Sequence, residues 1–336
     1  MAIGNIPARK RGFGYDPVTR SLGVYVDGAL TASFPPSPGR TYFVNNITGA
    51  STNDGLSWAT AVAEVSQAIT LAETYRELGG EEGGRSVTTN DYVRNTIMIQ
   101  GTGTAYTQLT ALPNYCDMVG LGADPRGNGT GIARIGPDAI AGGSFDGVDA
   151  GTCKGTNFYN LQFQAGSSKD AFDCDKLYRC VFENCAFMGN NDAVSPTAGV
   201  LLGTTATAGF GASGVVWRNC HWGGASAGGD FTVGFHIAGT HFHNCLVENC
   251  YIIGVTGVFV AGGCTSGWGS KFRDCSMATG YTAQTKSIDD DATTGQIIYQ
   301  NCFVQVRPTM INRADERSFG VQLCSTAGYE NTYTEA

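Results

Sequence analysis

The chain has 336 residues, with 48 Gly, 42% apolar and only 15% charged residues, and a formal net charge of −8. An acidic balance of this size argues against a general nucleic-acid-binding role, because phosphate contacts need a basic face. Gly at about twice its ordinary share, with β-branched and aromatic residues between the glycines, fits a chain of short strands and frequent turns rather than a helical protein.

The first forty residues depart from this balance. Arg9, Lys10, Arg11, Arg20 and Arg40 stand against Asp16 and Asp27, so this segment carries +3 and the remainder −11. With Pro7, Pro17, Pro35, Pro36 and Pro38, residues 1–40 read as a basic N-terminal arm that docks on an acidic surface, Arg9, Lys10, Arg11 and Arg20 being its attachment residues. The competing reading is a solvated arm. The opening MAIGNIPARKRGFGYDP lacks the charged-then-apolar order of a secretory signal, and no apolar run approaches the roughly 18 residues of a membrane span. The expectation is a protein made in the cytoplasm with no membrane partner.

From Thr41 a short strand is expected around Tyr42 and Val44, then a loop at 51–55. A helix is expected near 57–78, with Ala61, Val65, Ala68, Ile69 and Ala72 on one face at spacings of three or four. Such an amphipathic helix caps the open end of a solenoid, and its Glu64 and Glu73 read as solvated. After a polar stretch at 81–92, strand signals resume at 96–100 and at 116–119.

From residue 157 a phrase recurs: NFYNLQF, CVFENCAF, VVWRNCHW, HNCLVENCYI, KFRDCSM and IIYQNCFV. Its anchors, Leu161, Cys185, Cys220, Cys250, Cys275 and Cys302, are 24 to 35 residues apart. An antiparallel sandwich would repeat its turns every ~8–12 residues, so the longer period favours coils of a solenoid. Within the phrase, alternation points Cys180 and Phe182 inward and Val181 and Glu183 outward. It breaks at Asn184, where the chain must bend. Asn tolerates left-handed backbone angles and can stack on its own kind one coil later. About eight or nine coils over 95–325 would make a rod of about 40 Å, with residues 305–336 losing the repeat and 326–336 forming a polar tail. The fold class expected is all-β, a single-stranded right-handed parallel β-helix over 41–325 with an N-terminal capping helix. The twelve Cys lack CxxC order and read as small buried hydrophobes.

The run YFVNN…GASTNDGLSWATAVAEVSQAI, followed by GTAYTQLTAL and DMVGLGADPRG, resembles the opening of pectin-lyase-like right-handed β-helix proteins. That resemblance implies the fold rather than an activity, since similar proteins include polysaccharide lyases, hydrolases and esterases as well as bacteriophage tailspikes, fibres and capsid decorations. The enzyme motifs do not carry over. Arg307, Pro308 and Arg313 have the wrong spacing for the pectate lyase signature, and the polygalacturonase combination does not occur. GTAYTQ has Gln108 where pectinesterases have Glu.

Candidate sites remain. His221, His236, His241 and His243 fall within 23 residues and, with Asp230, could line one patch, the alternative being stacked surface or corner histidines. Asp170, Asp173 and Asp192 offer paired carboxylates for glycoside hydrolysis, for which ~5–9 Å separations are needed. Asp289, Asp290 and Asp291 form the densest acidic run, readable as oxygen ligands for Ca²⁺ or as a solvated turn. Trp217, Trp222 and Trp268 are expected to line a glycan groove. No cofactor is expected. The resemblance and the missing enzyme motifs together lead to an expectation of a bacteriophage virion protein, a capsid decoration or tail-associated β-helix. It would be trimeric and held by the major capsid or tail protein. The alternative is a tailspike-like polysaccharide-binding or depolymerising protein.

Overall fold

The computed structural model describes residues 11–16, 21–26, 29–33, 39–77, 93–127, 129–136, 145–189, 197–203, 210–223, 231–261, 264, 269–278, 286–290, 297–304, 311–313, 321–322 and 325–326. From Thr41 onward the described strands pair in parallel into three long sheets. One coil shows how. The chain runs along Phe172–Tyr178 in sheet III, turns into Val181–Glu183 in sheet I, turns again into Ala186–Gly189 in sheet II, and returns to sheet III at Ala198–Leu202, beside where it began. Sheet I has ten strands, sheet II eight, and sheet III a nine-strand ladder. The fold is a right-handed parallel β-helix. Nine rows of sheet I lie at or beyond Asn95, in line with the expected number of coils, and the rod continues past residue 305 through Ile311–Arg313, Val321–Gln322 and Ser325–Thr326.

The recurring phrase builds the corner between sheets I and II. Asn160, Asn184, Asn219, Asn249, Asp274 and Asn301 all have φ between 50° and 54°. A left-handed residue turns the chain sharply, and Asn and Asp bear that conformation better than other residues with a side chain. The amides also stack. Asn184 Nδ2 donates to Asn160 Oδ1 at 2.9 Å, and Asn249 Nδ2 to Asn219 Oδ1 at 2.7 Å. The corner between sheets III and I is left-handed too, at Gly155, Arg179, Gly214, Asn244 and Gly269. At Gly155 a Cβ would meet the Tyr115 ring at 2.7 Å, so glycine serves both the angle and the close approach.

The core is a pile of like side chains. Cys180 and Phe182 are buried while Val181 and Glu183 are partly open, as alternation requires. Phe158, Phe182 and Trp217 occupy one register row of sheet I, with successive ring centroids 4.5 and 5.6 Å apart and interplanar angles of 11° and 6°. Phe163, Phe187 and Trp222 do the same from sheet II, at 5.5 and 4.9 Å. Trp217 and Trp222 are therefore fully buried core residues rather than groove-lining ones; Trp268 lies outside the described residues. The thiols of Cys185, Cys220, Cys250, Cys275 and Cys302 sit just past the Asn corner, buried and unoxidised, each pointing at carbonyls of its own and the preceding coil.

At the N-terminal end the helix α1 covers Val65–Glu77, a shorter span than 57–78. Residues 58–60 make a 3-10 turn instead, capped by the Ser57 hydroxyl. The delay has a local cause. Val62 forms a parallel bridge with Val44, exchanging backbone hydrogen bonds with Phe43 and Asn45, and holds the chain extended until Glu64. Val65, Ala68, Ile69 and Ala72 then bury their face against the first two rows of sheet I. Glu64 and Glu73 are tethers rather than solvated acids. Glu73 accepts from Arg76 and from the Asn114 backbone N–H at 2.7 Å, and Glu64 accepts from the Thr107 hydroxyl at 2.9 Å.

The N-terminal segment has secondary structure of its own. Arg11–Asp16, Ser21–Val26 and Ala29–Ser33 form an antiparallel three-stranded sheet within the stretch read from the sequence as a basic arm. Among the described residues, no helix is long and apolar enough to cross a membrane.

Candidate functional site

The outward face of sheet III gathers the acids. Asp149 on Val148–Lys154 is in register with Asp173 on Phe172–Tyr178, one strand spacing away, or roughly 4.8 Å between backbones. In parallel strands such partners project from the same face. Asp149 is exposed, whereas Asp173 is only 9% exposed and its Oδ1 is buried without a hydrogen-bond partner.

Burial pushes the Asp173 carboxyl up to about 8, and the negative charges of Asp170, Asp149, Asp146 and Asp175 add to the effect. At neutral pH Asp173 is therefore largely a neutral carboxylic acid, a proton donor beside an exposed carboxylate. Burial beside other acids is the environment that keeps a carboxyl protonated at neutral pH.

Asp170 has a different task. Its Oδ1 accepts from the Ala198 backbone N–H at 2.7 Å, and Asp146 Oδ1 accepts from the Asp170 N–H at 2.8 Å. Asp146 and Asp170 thus clamp successive turns into sheet III, each bonding the backbone one coil on, with Lys169 beside Asp146 at 3.4 Å. Burial raises Asp170 to about 6, the Ala198 N–H opposing that rise.

The other sequence candidates do not join Asp149 and Asp173. His236 lies in the same outward row, but Leu201 intervenes, which puts it two strand spacings, about 9.6 Å, from Asp173 and beyond direct proton transfer. Its ring packs on Phe259 with centroids 4.9 Å apart, and burial lowers it to about 4. His221 belongs to sheet II, while His241 and His243, on the strand that follows His236 in the same coil, stack on each other with ring centroids 4.9 Å apart beside the corner to sheet I; with His221 on another sheet, the four histidines do not form one patch. Asp289 and Asp290 are neighbours on one strand and point to opposite faces, Asp290 being buried in line with the inward Val260. They cannot close on one Ca²⁺, and no metal-competent cluster occurs among the described residues. Asp192, Asp230, Asp291, Arg9, Lys10 and Arg20 lie outside the described residues, and Arg11 opens the first strand of the N-terminal sheet.

Sequence reasoning had Asp173 but missed Asp149 as its partner. The strand VDAGTCK carries no copy of the corner phrase, so nothing in the sequence aligned it with FDCDKLY.

No family model and no curated protein matches the chain. Among solved structures, the pectin methylesterase from Aspergillus niger aligns over 90% of this chain and 92% of its own, with 14% identity and a TM-score of 0.49. A likeness this distant carries no argument about activity, and the β-helix assignment rests on the strand pairing above. Nothing in these comparisons points to a bacteriophage particle.

Proposed function

We propose that the protein acts on a polysaccharide at the outward face of sheet III, as a glycoside hydrolase in which Asp173 is the general acid and Asp149 the carboxylate facing the anomeric carbon. The observation that carries this is the pairing of a largely neutral, nine-tenths buried carboxyl with an exposed carboxylate one strand spacing away. Backbones one strand spacing apart, about 4.8 Å, let two carboxyls on the same face come within the ~5–5.5 Å of a retaining mechanism. Asp173 gives its proton to the glycosidic oxygen as the bond to the anomeric carbon breaks. Asp149 attacks that carbon to form a glycosyl ester, and water, deprotonated by Asp173, then hydrolyses it. Atoms and protons balance, and both carboxyls return to their starting states.

The test is reducing-end release from a panel of bacterial capsular, lipopolysaccharide and plant cell-wall polysaccharides, with the anomer of the first product read by NMR. Cleavage that retains configuration and is lost in Asp173→Asn and in Asp149→Asn is the expected result. Full activity in both variants, or no cleavage of any polymer, refutes the assignment.

A second reading rests on the N-terminal segment. A basic stretch with its own antiparallel sheet, unlike the parallel sheets of the rod, suits an attachment module for the major capsid or tail protein of a bacteriophage particle, the rod projecting from the virion as a trimer. Deleting residues 2–38 should abolish incorporation into purified particles while leaving the β-helix folded. Normal incorporation of the truncated chain would sink this role.

A further inference from the structure

On another side of the rod, along the corner between sheets I and II, runs a groove of about 490 Å³. Its floor is the left-handed row of Asn184, Asn219, Asn249 and Asp274, and its wall is His221, Tyr251 and Ser276, consecutive in one register row that opens the strands of sheet II. Tyr251 is 37% exposed, one of the few large aromatic side chains so open among the described residues. One of its faces is backed by His221, with ring centroids 5.2 Å apart and 17° between planes. The row beyond its other face holds the small Ser276, so that with only a hydroxymethyl group next to it the face of Tyr251 away from His221 opens onto the groove.

The rest of the lining is polar. Asn249 and Asp274 stand on the corner side, and Arg126 closes one end of the groove, held to Asp124 at 2.6 Å. Burial and the nearby Arg126 lower His221 to about 4, so the aromatic stack is uncharged at neutral pH.

We infer that this groove is a glycan-binding site separate from the sheet III carboxylates, with a pyranose ring seated on Tyr251 over Ser276. A pyranose offers an apolar C–H face to an aromatic ring and equatorial hydroxyls to flanking amides and carboxylates, which is the chemistry lined up here. A nucleic acid fits poorly, because Arg126, the cation among the described lining residues, is already paired and carboxylates share that lining. An apolar peptide segment would leave the amides and carboxylates unpaired. That the bound glycan is the same class as the one cleaved rests on the proposed function, whereas the site itself rests on the groove. A second binding site on the rod would hold a long polymer while the sheet III carboxylates work on another stretch of it, raising the local concentration of scissile bonds.

The experiment uses the full chain carrying Asp173→Asn, so that no cleavage confuses binding, on an array of bacterial surface polysaccharides, followed by titration with a hexasaccharide of the best-bound polymer. We expect Tyr251→Ala and Ser276→Trp, the first removing the platform and the second covering its open face, each to weaken binding at least tenfold with unchanged circular dichroism. In the chain with Asp173 intact, Tyr251→Ala should lower cleavage of the long polymer and leave cleavage of a short oligosaccharide as it was. Binding unaffected by both substitutions, or no glycan bound at all, overturns the site. Tyr251-dependent binding without any cleavage by the native protein would uphold it while removing the hydrolase reading.

Discussion

Asp173→Asn tests the physical argument directly, because it removes a charge that the fold resists and leaves shape almost unchanged. The folded carboxyl sits at about 8, against 3.8 for a free one. The folded state therefore holds a proton that the unfolded chain releases anywhere between pH ~4 and 8. Linkage sets the sign: native stability falls as pH rises through that window and levels off above about 8. At about 1.4 kcal/mol for each tenfold change in proton affinity the full effect is roughly 5–6 kcal/mol, and water on the open side of the acid cluster screens it to about 3 kcal/mol. Asparagine cannot ionise, so the variant should match the native protein at pH 4 and exceed it by about 3 kcal/mol at pH 9. Urea unfolding followed by the fluorescence of the buried Trp217 and Trp222 reads this out. A gap that is the same at both pH values, or an asparagine variant weaker at pH 9, would refute the account of Asp173 and with it the acid assigned to catalysis.

Other expectations follow from the rod itself. Asn219→Ala places a Cβ-branchless but left-hand-averse residue at φ 53° and removes the acceptor of the Asn249 amide; it should cost about 2–3 kcal/mol in the same assay, with Asn219→Gly recovering the part due to the backbone. Trp217→Ala should cost about 3–5 kcal/mol, while Trp217→Phe should cost only about 1–2, because it keeps the stack on Phe182 and deletes an indole N–H that has no partner in the core. Eleven of the twelve thiols are described and buried, so a thiol reagent such as dithionitrobenzoate should modify these eleven only after unfolding; rapid reaction of more than one thiol per chain in the native state would contradict the packing.

Much of this was legible in the sequence, because a coil that repeats must repeat its constraints. Asn184 was readable as a left-handed corner and Cys180 and Phe182 as core, since each phrase carries the same phase. The inward placement of Trp217 and Trp222 was available from the same alignment, VVWRNCHW set on CVFENCAF, where each Trp falls on a buried Phe. What stayed hidden has no periodic signal. The bonds from Asp146 to the Asp170 backbone and from Asp170 to that of Ala198 join coils of different length, and Asp149 meets Asp173 across a coil that lacks the phrase. Helix α1 started late because a single bridge, Val62 to Val44, outcompeted helical propensity over its first turn.

The rows of like on like, Asn over Asn and Phe under Trp, also bear on how such a chain assembles. Each coil offers the next one a template of matching shape and unsatisfied amides, and it realises its own stabilisation only when a neighbour has settled onto it. The rod thus behaves as a one-dimensional crystal, with a natural seed where the aromatic stacks from Phe158 to Trp222 are densest and growth fronts advancing from that seed toward both ends.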